Sequence, residues 1–360
     1  MTAGGGPVRL GVGVVGAGRV GAVLGSALRS VGHAVVGASG VSEASRERID
    51  VMLPGVPVLD VPEVVRRAEL VLLTVPDDDL APLVRGLADV GAWQPGQLVV
   101  HTAGSHGVRV LEPARAAGAI PLAIHPAMTF TGTSLDLSRL EGTTFAVTAP
   151  APVLPIAQAL VVELGGEPAV VAEDARPLYH AALSHGSNHL VVLVAQAAQA
   201  LAAAGIERPG RALGPLLGAA LDGALRYADV DRTAGDTRPG EGAVPVGNPL
   251  GLGAPGAAAI GALTGPVSRG DVGTVRAHLA VLAELAVAGT GALDVPPSYR
   301  ALARGATVRA LAAGRIAERE AAELLDALTE QDPPDAPRDP RPGPGGPHDI
   351  PPVPGSESDA

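Results

Sequence analysis

The segment from Val8 to Gly21 constrains the fold of this chain more than any other part of the sequence. Its apolar run, Leu10 to Val15, is typical of a strand buried in a parallel sheet. The run ends in Gly16-Ala17-Gly18-Arg19-Val20-Gly21, which has the spacing G-x-G-x-x-G. Apolar residues at helical spacing follow as far as Val31. A strand, a glycine turn and a helix in this order predict a dinucleotide-binding βα unit.

Each glycine of this turn has a physical role in binding a dinucleotide. Gly16 permits the tight turn, Gly18 lets the backbone approach a pyrophosphate, and Gly21 lets the helix pack closely on the strand. The pyrophosphate would accept hydrogen bonds from N–H groups at the helix N-terminus. The residues predicted to bind the cofactor here are Gly16, Ala17, Gly18, Arg19, Val20 and Gly21. An ordinary glycine-rich turn is the alternative interpretation.

The composition excludes several other classes of protein. A net charge of −11 without a basic run argues against a nucleic-acid partner. The chain has no cysteine, which excludes disulfides, a thiol nucleophile and thiolate metal sites. It also has no lysine, so proton transfer is left to histidine, carboxylates, tyrosine or water. Neither a signal peptide nor a membrane span is predicted, and we expect a cytoplasmic protein.

Strand and helix patterns alternate over the first half of the chain. Strands are predicted at residues 34–39, 70–75, 98–102, 119–124, 143–148 and 169–172, and helices at 61–68, 80–88 and 108–117, with a further helix that ends at Leu164. This alternation predicts an α/β fold, with a Rossmann-type parallel sheet covered by helices on both faces. We place this NAD(P)-binding domain at residues 8–172.

The hydrophobic period changes after residue 173. Helical patterns cover residues 174–204, 211–227, 272–288, 298–309 and 318–328. They predict an all-helical domain at residues 173–330. Its Gly/Pro-rich stretch at 229–256 is predicted to be a loop, and residues 331–360 a disordered tail.

The end of the second predicted strand favours NADP over NAD. NAD-binding domains usually carry a carboxylate there, which binds the ribose 2′-hydroxyl. Here the position is occupied by Ser39 and Gly40, with Ser42 just beyond. Arg46 and Arg48 follow, and hydroxyl and guanidinium groups suit a 2′-phosphate. We therefore predict that Ser39, Ser42 and Arg46 bind NADP; pairing of the arginines with Glu43 and Glu47 on a solvated helix is the alternative.

Ligands of open α/β sheets bind at the carboxyl ends of the strands. Three segments are predicted there: Thr74-Val75-Pro76 and Thr102 as cofactor contacts, and His125 before Pro126. A histidine titrates near neutral pH, so His125 can donate a proton to a carbonyl or imine. His101, beside Thr102, is expected to bond the backbone instead.

Polar residues at helical spacing mark the start of the second domain. His180, Ser184 and Asn188 are four residues apart, which places them on one helix face, predicted to border a cleft. His185 and His189 form a second such pair, without a third ligand nearby in sequence. We therefore predict no metal site.

Six motifs carry a family resemblance. In chain order they are GAGRVG, TVPDDDL, HTAGSHG, HPAMTF, YHAALSHGSN and ALTGPVSRGD. Together, from about Val8 to Leu328, they resemble a bacterial two-domain family in which a helical domain of unknown function follows a Rossmann-like domain. That family is similar to pyrroline-5-carboxylate reductase and, more distantly, to the 6-phosphogluconate and 3-hydroxyisobutyrate dehydrogenases.

The resemblance implies several roles. Thr74-Val75-Pro76 matches a segment that contacts the nicotinamide ribose, and Thr264 lies where the helical domain offers polar groups to substrate. Ser184 and Asn188 have the spacing of the lysine and asparagine of the hydroxyacid dehydrogenases, whose proton transfer cannot apply unchanged without lysine. A homodimer formed through the helical domain is also implied.

Three functions remain open from the sequence. The first is an NADP-dependent reductase of a small carbonyl or imine compound, with His125 or His180 as proton donor and Ser184, Asn188 and Thr264 orienting the substrate. The second is an NADP-binding sensor or scaffold that performs no chemistry. The third is electron exchange between NADP and a deazaflavin.

Overall fold

The computed structural model describes residues 9–229, 257–289 and 291–329. Its N-terminal part is a seven-stranded sheet with the strand order β2-β1-β3-β4-β5-β6-β7. The strands are β1 (Gly11–Val15), β2 (Ala34–Ser39), β3 (Leu70–Leu73), β4 (Leu98–His101), β5 (Ile120–Pro126), β6 (Thr144–Thr148) and β7 (Glu167–Val170). The predicted α/β fold is therefore confirmed.

Helices cover both faces of this sheet. They are α1 (Arg19–Ser30), α2 (Glu43–Met52), α3 (Val61–Arg67), α4 (Asp77–Asp89), α5 (Glu112–Ala116), α6 (Leu135–Arg139) and α7 (Leu154–Glu163). Alternate strand residues enter different cores: Leu70 and Leu72 pack in one apolar cluster with α1 and α7. Val71 and Leu73 pack in the other, with α3, α4 and α5. Burial on both faces of the sheet explains why the strand sequences are continuous apolar runs.

One strand pair departs from the predicted parallel sheet. The first five strands in the sheet order, from β2 to β5, are all parallel to one another. Strand β5 pairs antiparallel with β6 on its other side. The connection from β5 to β6 contains only the short helix α6. A parallel pair needs a longer crossover, usually through a packed helix, to return the chain to the opposite edge. The chain instead turns back directly, and β7 then pairs parallel with β6.

The chain divides into two compact units between Leu190 and Val191, inside the long helix α8 (Arg176–Ala203). The second unit continues with α9 (Pro209–Ala228), α10 (Val272–Val287), α11 (Val295–Ala312) and α12 (Glu318–Ala327). Val275, Ala310 and Leu324 are fully buried in its apolar cluster. No helix among the described residues is long and apolar enough to cross a membrane. The loop predicted at 229–256 and the tail predicted at 331–360 lie, except for Asp229, outside the described residues.

Candidate functional site

The glycine turn is fixed to the ends of the two neighbouring strands. Gly16 has a φ of +86°, a conformation that favours glycine. The Thr74 hydroxyl at the end of β3 donates a hydrogen bond of 2.7 Å to the Gly16 carbonyl oxygen. The Gly16 N–H donates to the Ser39 hydroxyl oxygen at 3.2 Å, and the Ala17 N–H to the Ser39 carbonyl oxygen at 2.8 Å. Ser39 and Thr74 thus shape the turn from both sides.

Gly18 and Gly21 meet different surroundings. A Cβ atom on Gly18 would meet only the Gly16 carbonyl oxygen, at 3.8 Å, so the space in front of it is open. A Cβ atom on Gly21 would overlap the Thr74 hydroxyl and lie 2.7 Å from the Gly16 carbonyl oxygen. The first glycine leaves room for a ligand at the N-terminus of α1, and the second lets α1 pack on the strands.

Three arginines lie near this turn: Arg19, Arg46 and Arg48. The Arg46 guanidinium donates hydrogen bonds to the carbonyl oxygens of Gly40 (3.4 Å) and Val41 (3.1 Å), which places it at the carboxyl end of β2. A Cβ atom on Gly132 would lie 2.7 Å from Arg19 Cγ and 3.1 Å from Arg48 Nε, so those side chains meet at one loop.

Two polar side chains, Ser42 and Asp136, fix the start of α2 and the loop at Gly132. Ser42 caps α2, since its hydroxyl oxygen accepts a hydrogen bond of 3.2 Å from the Ser45 N–H. Buried Asp136 accepts hydrogen bonds from the N–H groups of Thr131 (2.7 Å) and Gly132 (2.8 Å). Burial alone would raise the carboxyl pKa of Asp136, but these hydrogen bonds hold that pKa below its ordinary value. A charged Asp136 therefore fixes the loop beside Arg19.

His101 at the end of β4 is a structural residue, as the sequence predicts. Its ring is fully buried; Nδ1 accepts a hydrogen bond of 3.2 Å from the Ala103 N–H, and Nε2 donates one of 2.8 Å to the Gly107 carbonyl oxygen. Burial, above all, lowers the pKa of His101 to about 4, so its ring is neutral at physiological pH. The neutral ring closes the loop of residues 102–107.

Further contacts hold this loop at both ends. The Ser105 hydroxyl donates a hydrogen bond of 2.6 Å to the carboxylate of Asp77, the first residue of α4. The Glu173 carboxylate, just before α8, accepts hydrogen bonds from the N–H groups of Val108 (2.8 Å) and Arg109 (3.1 Å). The position of Gly104, next to Ser105, is therefore fixed.

The imidazoles of His125 and His180 converge on Gly104. A Cβ atom on Gly104 would lie 3.0 Å from His125 Nε2 and 2.8 Å from His180 Cδ2. The ring centroids of the two histidines are 6.1 Å apart. On its other side, His125 Nδ1 is 2.9 Å from the Tyr179 hydroxyl oxygen. The structure thus brings together two side chains, from β5 and α8, that the sequence predicts as alternative proton donors.

The surroundings of His125 favour a neutral ring. Burial lowers its pKa to about 4, with smaller contributions in the same direction from the charges of Arg176 and His180, while Asp77 opposes them. Arg176 is itself fully buried and donates hydrogen bonds to Ala123 O (2.8 Å), Ala146 O (3.0 Å) and Thr148 Oγ1 (2.8 Å). His125 is therefore a neutral hydrogen-bond donor or acceptor at physiological pH.

The other predicted site residues lie further from this centre. Val75 packs against Gly16, and Pro76 immediately precedes α4. Thr102 is half-buried and lines a cavity of about 30 Å³ in the core. Ser184 is half-buried and lies one helical turn after His180. Asn188 is exposed and lies two helical turns after His180, about 12 Å further along the helix axis. Contact of Ser184 or Asn188 with a ligand stays a prediction.

Thr264 lies in the second unit, on the wall of a cavity of about 500 Å³. Most of the lining is apolar, including Leu193, Val281 and Leu302, and the polar exceptions are Gln196, Thr264, His278 and Tyr299. His278 Nδ1 is 2.9 Å from the Tyr299 hydroxyl oxygen. Thr264 thus has the apolar surroundings of a small-molecule pocket, and its role toward substrate stays a prediction.

His185 and His189 are exposed on α8, with their Nδ1 atoms 2.9 Å apart. Within the described ranges, no group of three metal-ligating side chains is close enough to hold an ion.

Sequence reasoning missed the contacts around His125. Tyr179 precedes His180 in a recognised motif, Asp77 opens an acidic turn, and Gly104 and Ser105 lie in HTAGSHG, yet none was predicted as a site residue. These contacts form between segments that are distant in sequence. In the sequence, only the position of these residues next to predicted site residues or motifs could have indicated them.

Comparison with known families agrees with this architecture. Residues 2–126 match the Rossmann-like domain family. Residues 143–238 and 255–306 match a domain of unknown function, DUF2520. The chain therefore combines a Rossmann-like domain with a following region that matches DUF2520. Among curated protein sequences, none matches the chain.

Several solved structures share the fold. A Bacteroides fragilis protein described as a candidate NADP oxidoreductase is 21% identical, with a TM-score of 0.60, over 83% of this chain and 98% of its own. A Thermotoga maritima protein is 18% identical, with a TM-score of 0.56, over 84% and 99%. A Mycobacterium avium protein described as a candidate oxidoreductase is 18% identical, with a TM-score of 0.51, over 85% and 99%. At these identities the similarity establishes the fold.

Proposed function

We propose that this protein is an NADP-dependent reductase that transfers hydride to the carbonyl or imine carbon of a small molecule. The observation that carries the proposal is the convergence of His125 and His180 on Gly104. Gly104 follows β4 and His125 lies near the end of β5, so both belong to the sheet edge that also carries the glycine turn. A group able to supply a proton is thereby combined with a nucleotide-binding edge.

The residues of the turn fit a dinucleotide. The open space in front of Gly18 suits a pyrophosphate, which the N–H groups at the N-terminus of α1 would bind. When bound, NADP would supply the hydride. Arg46 lies at the end of β2, where Ser39 and Gly40 leave no carboxylate to repel a 2′-phosphate. The description of the Bacteroides fragilis protein as a candidate NADP oxidoreductase agrees with this assignment.

His125 is the better candidate for the proton donor. The Tyr179 hydroxyl holds its ring at Nδ1, which leaves Nε2 directed at Gly104. Among the described residues, no hydrogen bond holds the ring of His180. A held ring loses less entropy in reaching a reactive geometry than a mobile one. His180, Ser184 and Asn188 would orient the substrate, and the role that the sequence predicts for Thr264 stays a prediction.

We further propose that the second unit pairs with a second copy of the chain. Its helices expose large apolar side chains: Val191 (68%), Leu216 (67%), Leu225 (58%), Val281 (57%) and Leu302 (56%). Val281 and Leu302 also line the apolar cavity. An apolar surface of this extent is typical of an interface between subunits. Val281→Glu should therefore shift the molar mass in light scattering from dimer to monomer, whereas Glu284→Gln on the same helix should not.

The reductase proposal is tested by measuring NADPH oxidation with a panel of aldehydes, ketones and cyclic imines. His125→Ala should lower kcat roughly 10²–10⁴-fold, the usual cost of losing a general acid, with the Kd of NADPH unchanged. His185→Ala removes an exposed histidine of α8 outside the cluster and serves as the control. NADPH binding without turnover on any class would favour the sensor, and turnover unaffected by His125→Ala would remove His125 from the mechanism.

A further inference from the structure

Tyr179 holds the ring of His125, and the same contact bears on which ring nitrogen of His125 carries the hydrogen. Its hydroxyl oxygen lies 2.9 Å from His125 Nδ1, and the two rings meet edge-on at 86° with centroids 5.5 Å apart. Tyr179 belongs to the first turn of α8, whereas His125 belongs to β5. The contact therefore joins two segments and leaves only Nε2 of His125 facing Gly104.

The charges around this pair decide which partner donates. Arg176 Cζ lies 6.0 Å from the centroid of the Tyr179 ring. Hydrogen-bond partners of this buried guanidinium are carbonyl and hydroxyl oxygens, and Nη1 has none among the described residues. Its positive charge disfavours an imidazolium and favours negative charge on the phenol oxygen. The Tyr179 hydroxyl is therefore the donor, and neutral His125 Nδ1 the acceptor.

We propose that Tyr179 is a positioning residue that holds His125 in the tautomer with hydrogen on Nε2 and returns the proton that His125 gives to the substrate. This inference rests on the proposed reductase function for its second half. The first half, the tautomer, is a property of the protein without substrate. The two can therefore be tested separately.

The proton transfer balances with one hydride. As hydride bonds to the substrate carbon, the π electron pair moves to the oxygen or nitrogen. That atom takes the proton from His125 Nε2, and Nδ1 takes the proton of the Tyr179 hydroxyl. The resulting phenolate lies beside the Arg176 guanidinium until water supplies a proton. The sum is one hydride and one solvent proton per molecule reduced.

The pH dependence follows from the groups that face His125. They are Tyr179, His180 and Arg176 from α8 and Asp77 from α4. Burial and the charge of Arg176 hold the pKa of His125 at about 4, and burial raises the pKa of Tyr179. Neither group changes charge between about pH 5 and pH 9. The pair therefore delivers a proton without a free imidazolium.

The tautomer is measured by long-range ¹H–¹⁵N spectra of the uniformly labelled full chain, with His125 assigned from the signal lost in His125→Asn. In the native protein we expect His125 to be neutral from pH 8 to about pH 5, with hydrogen on Nε2. Tyr179→Phe should mix the two tautomers and raise the titration midpoint. Tyr299→Phe removes the same hydrogen bond from His278 and is the matched control; it should leave the His125 signal unchanged.

A hydrogen on Nδ1 of native His125, or identical His125 signals in the native protein and Tyr179→Phe, would overturn the inference. Once a substrate is known, Tyr179→Phe should lower kcat about 10- to 100-fold. This is less than the roughly 10²–10⁴-fold loss expected when the general acid itself is removed. Its kcat should then rise as pH falls, because an imidazolium takes over, whereas a purely structural loss would be independent of pH. If no substrate class is reduced, the spectra still decide the tautomer.

Discussion

The described residues include two tyrosine–histidine pairs of nearly the same geometry, one in each compact unit. In both pairs the tyrosine hydroxyl oxygen lies 2.9 Å from histidine Nδ1. The rings meet edge-on in both, at 86° for His125 and Tyr179 and at 81° for His278 and Tyr299. The hydrogen bond alone therefore does not distinguish the two regions.

Their surroundings differ. His125 lies between a buried guanidinium, a second imidazole and the Asp77–Ser105 contact, on the sheet edge that carries the glycine turn. His278 lies on the wall of an apolar cavity. Charge placed around a hydrogen-bonded pair sets which partner holds the proton, whereas apolar surroundings favour packing. The difference teaches that the neighbours of a pair, more than its geometry, indicate chemistry.

The largest expected effect removes the cofactor from the first unit. Gly18→Val should abolish NADPH binding, because the side chain would occupy the space in front of the turn. The fold should survive, since a Cβ there meets its nearest atom at 3.8 Å and φ is −74°. Fluorescence titration and thermal unfolding measure the two effects. Gly86→Val, where nothing lies within 4 Å, is the control, and normal binding by Gly18→Val would show that the motif is only a turn.

The second prediction is a substitution that should affect the His125–Tyr179 pair and leave the His278–Tyr299 pair unchanged. Gly104→Ala should move both imidazoles, since its Cβ would lie 2.8 Å from His180 Cδ2 and 3.0 Å from His125 Nε2. We expect turnover to fall about 100-fold, within the range of acid catalysis, with NADPH affinity retained. The His125 signal in ¹H–¹⁵N spectra should shift while that of His278 stays in place. An unchanged His125 signal would contradict the convergence of the two histidines on Gly104.

The third prediction concerns acid stability, to which buried His101 of the first unit contributes. Its pKa falls from 6.5 to about 4 on folding, so the unfolded chain binds more protons between these values. The stabilisation is present above pH 6.5 and is lost as pH falls toward 4, by about 2 kcal/mol at pH 5. Urea unfolding of the native protein and His101→Gln at pH 7 and 5 measures it. Gln should be less stable at pH 7 but show a smaller decrease; equal decreases would contradict the pKa shift.

Local patterns were enough to predict the strands of the first unit. Apolar runs, the glycine spacing and helical periodicity are short-range features, and they located the strands that carry the turn, Gly104 and His125. The antiparallel pairing of β5 and β6 was not predicted, because a run of apolar residues has no direction. Tyr179 was missed for a related reason. It lies about 100° around the helix from His180, and only the tertiary structure places it against β5.

The smallest expected effect concerns the 2′-phosphate that distinguishes NADP from NAD. It tests which of the two cofactors the first unit prefers. Arg46 is held at the end of β2 by the carbonyl oxygens of Gly40 and Val41, and no carboxylate ends that strand. The protein should therefore bind NADPH more tightly than NADH. Arg46→Ala should weaken NADPH about tenfold, as expected for one charge-assisted hydrogen bond at an exposed site, and leave NADH unchanged.

The control for Arg46→Ala is Arg66→Ala, which removes an exposed arginine of α3 that pairs with Glu63. It should affect neither cofactor, because its guanidinium has an acidic partner of its own on the same helix. Both affinities are measured by titrating nicotinamide fluorescence at several salt concentrations. Screening of a 2′-phosphate contact should bring the NADPH and NADH affinities closer together as salt rises. Equal affinities of the native protein for NADPH and NADH at low salt, or a loss of NADH binding in Arg46→Ala, would contradict the prediction. Arg46 would then lie outside the phosphate site, and Ser39 and the glycine turn alone would bind the adenosine end of the cofactor.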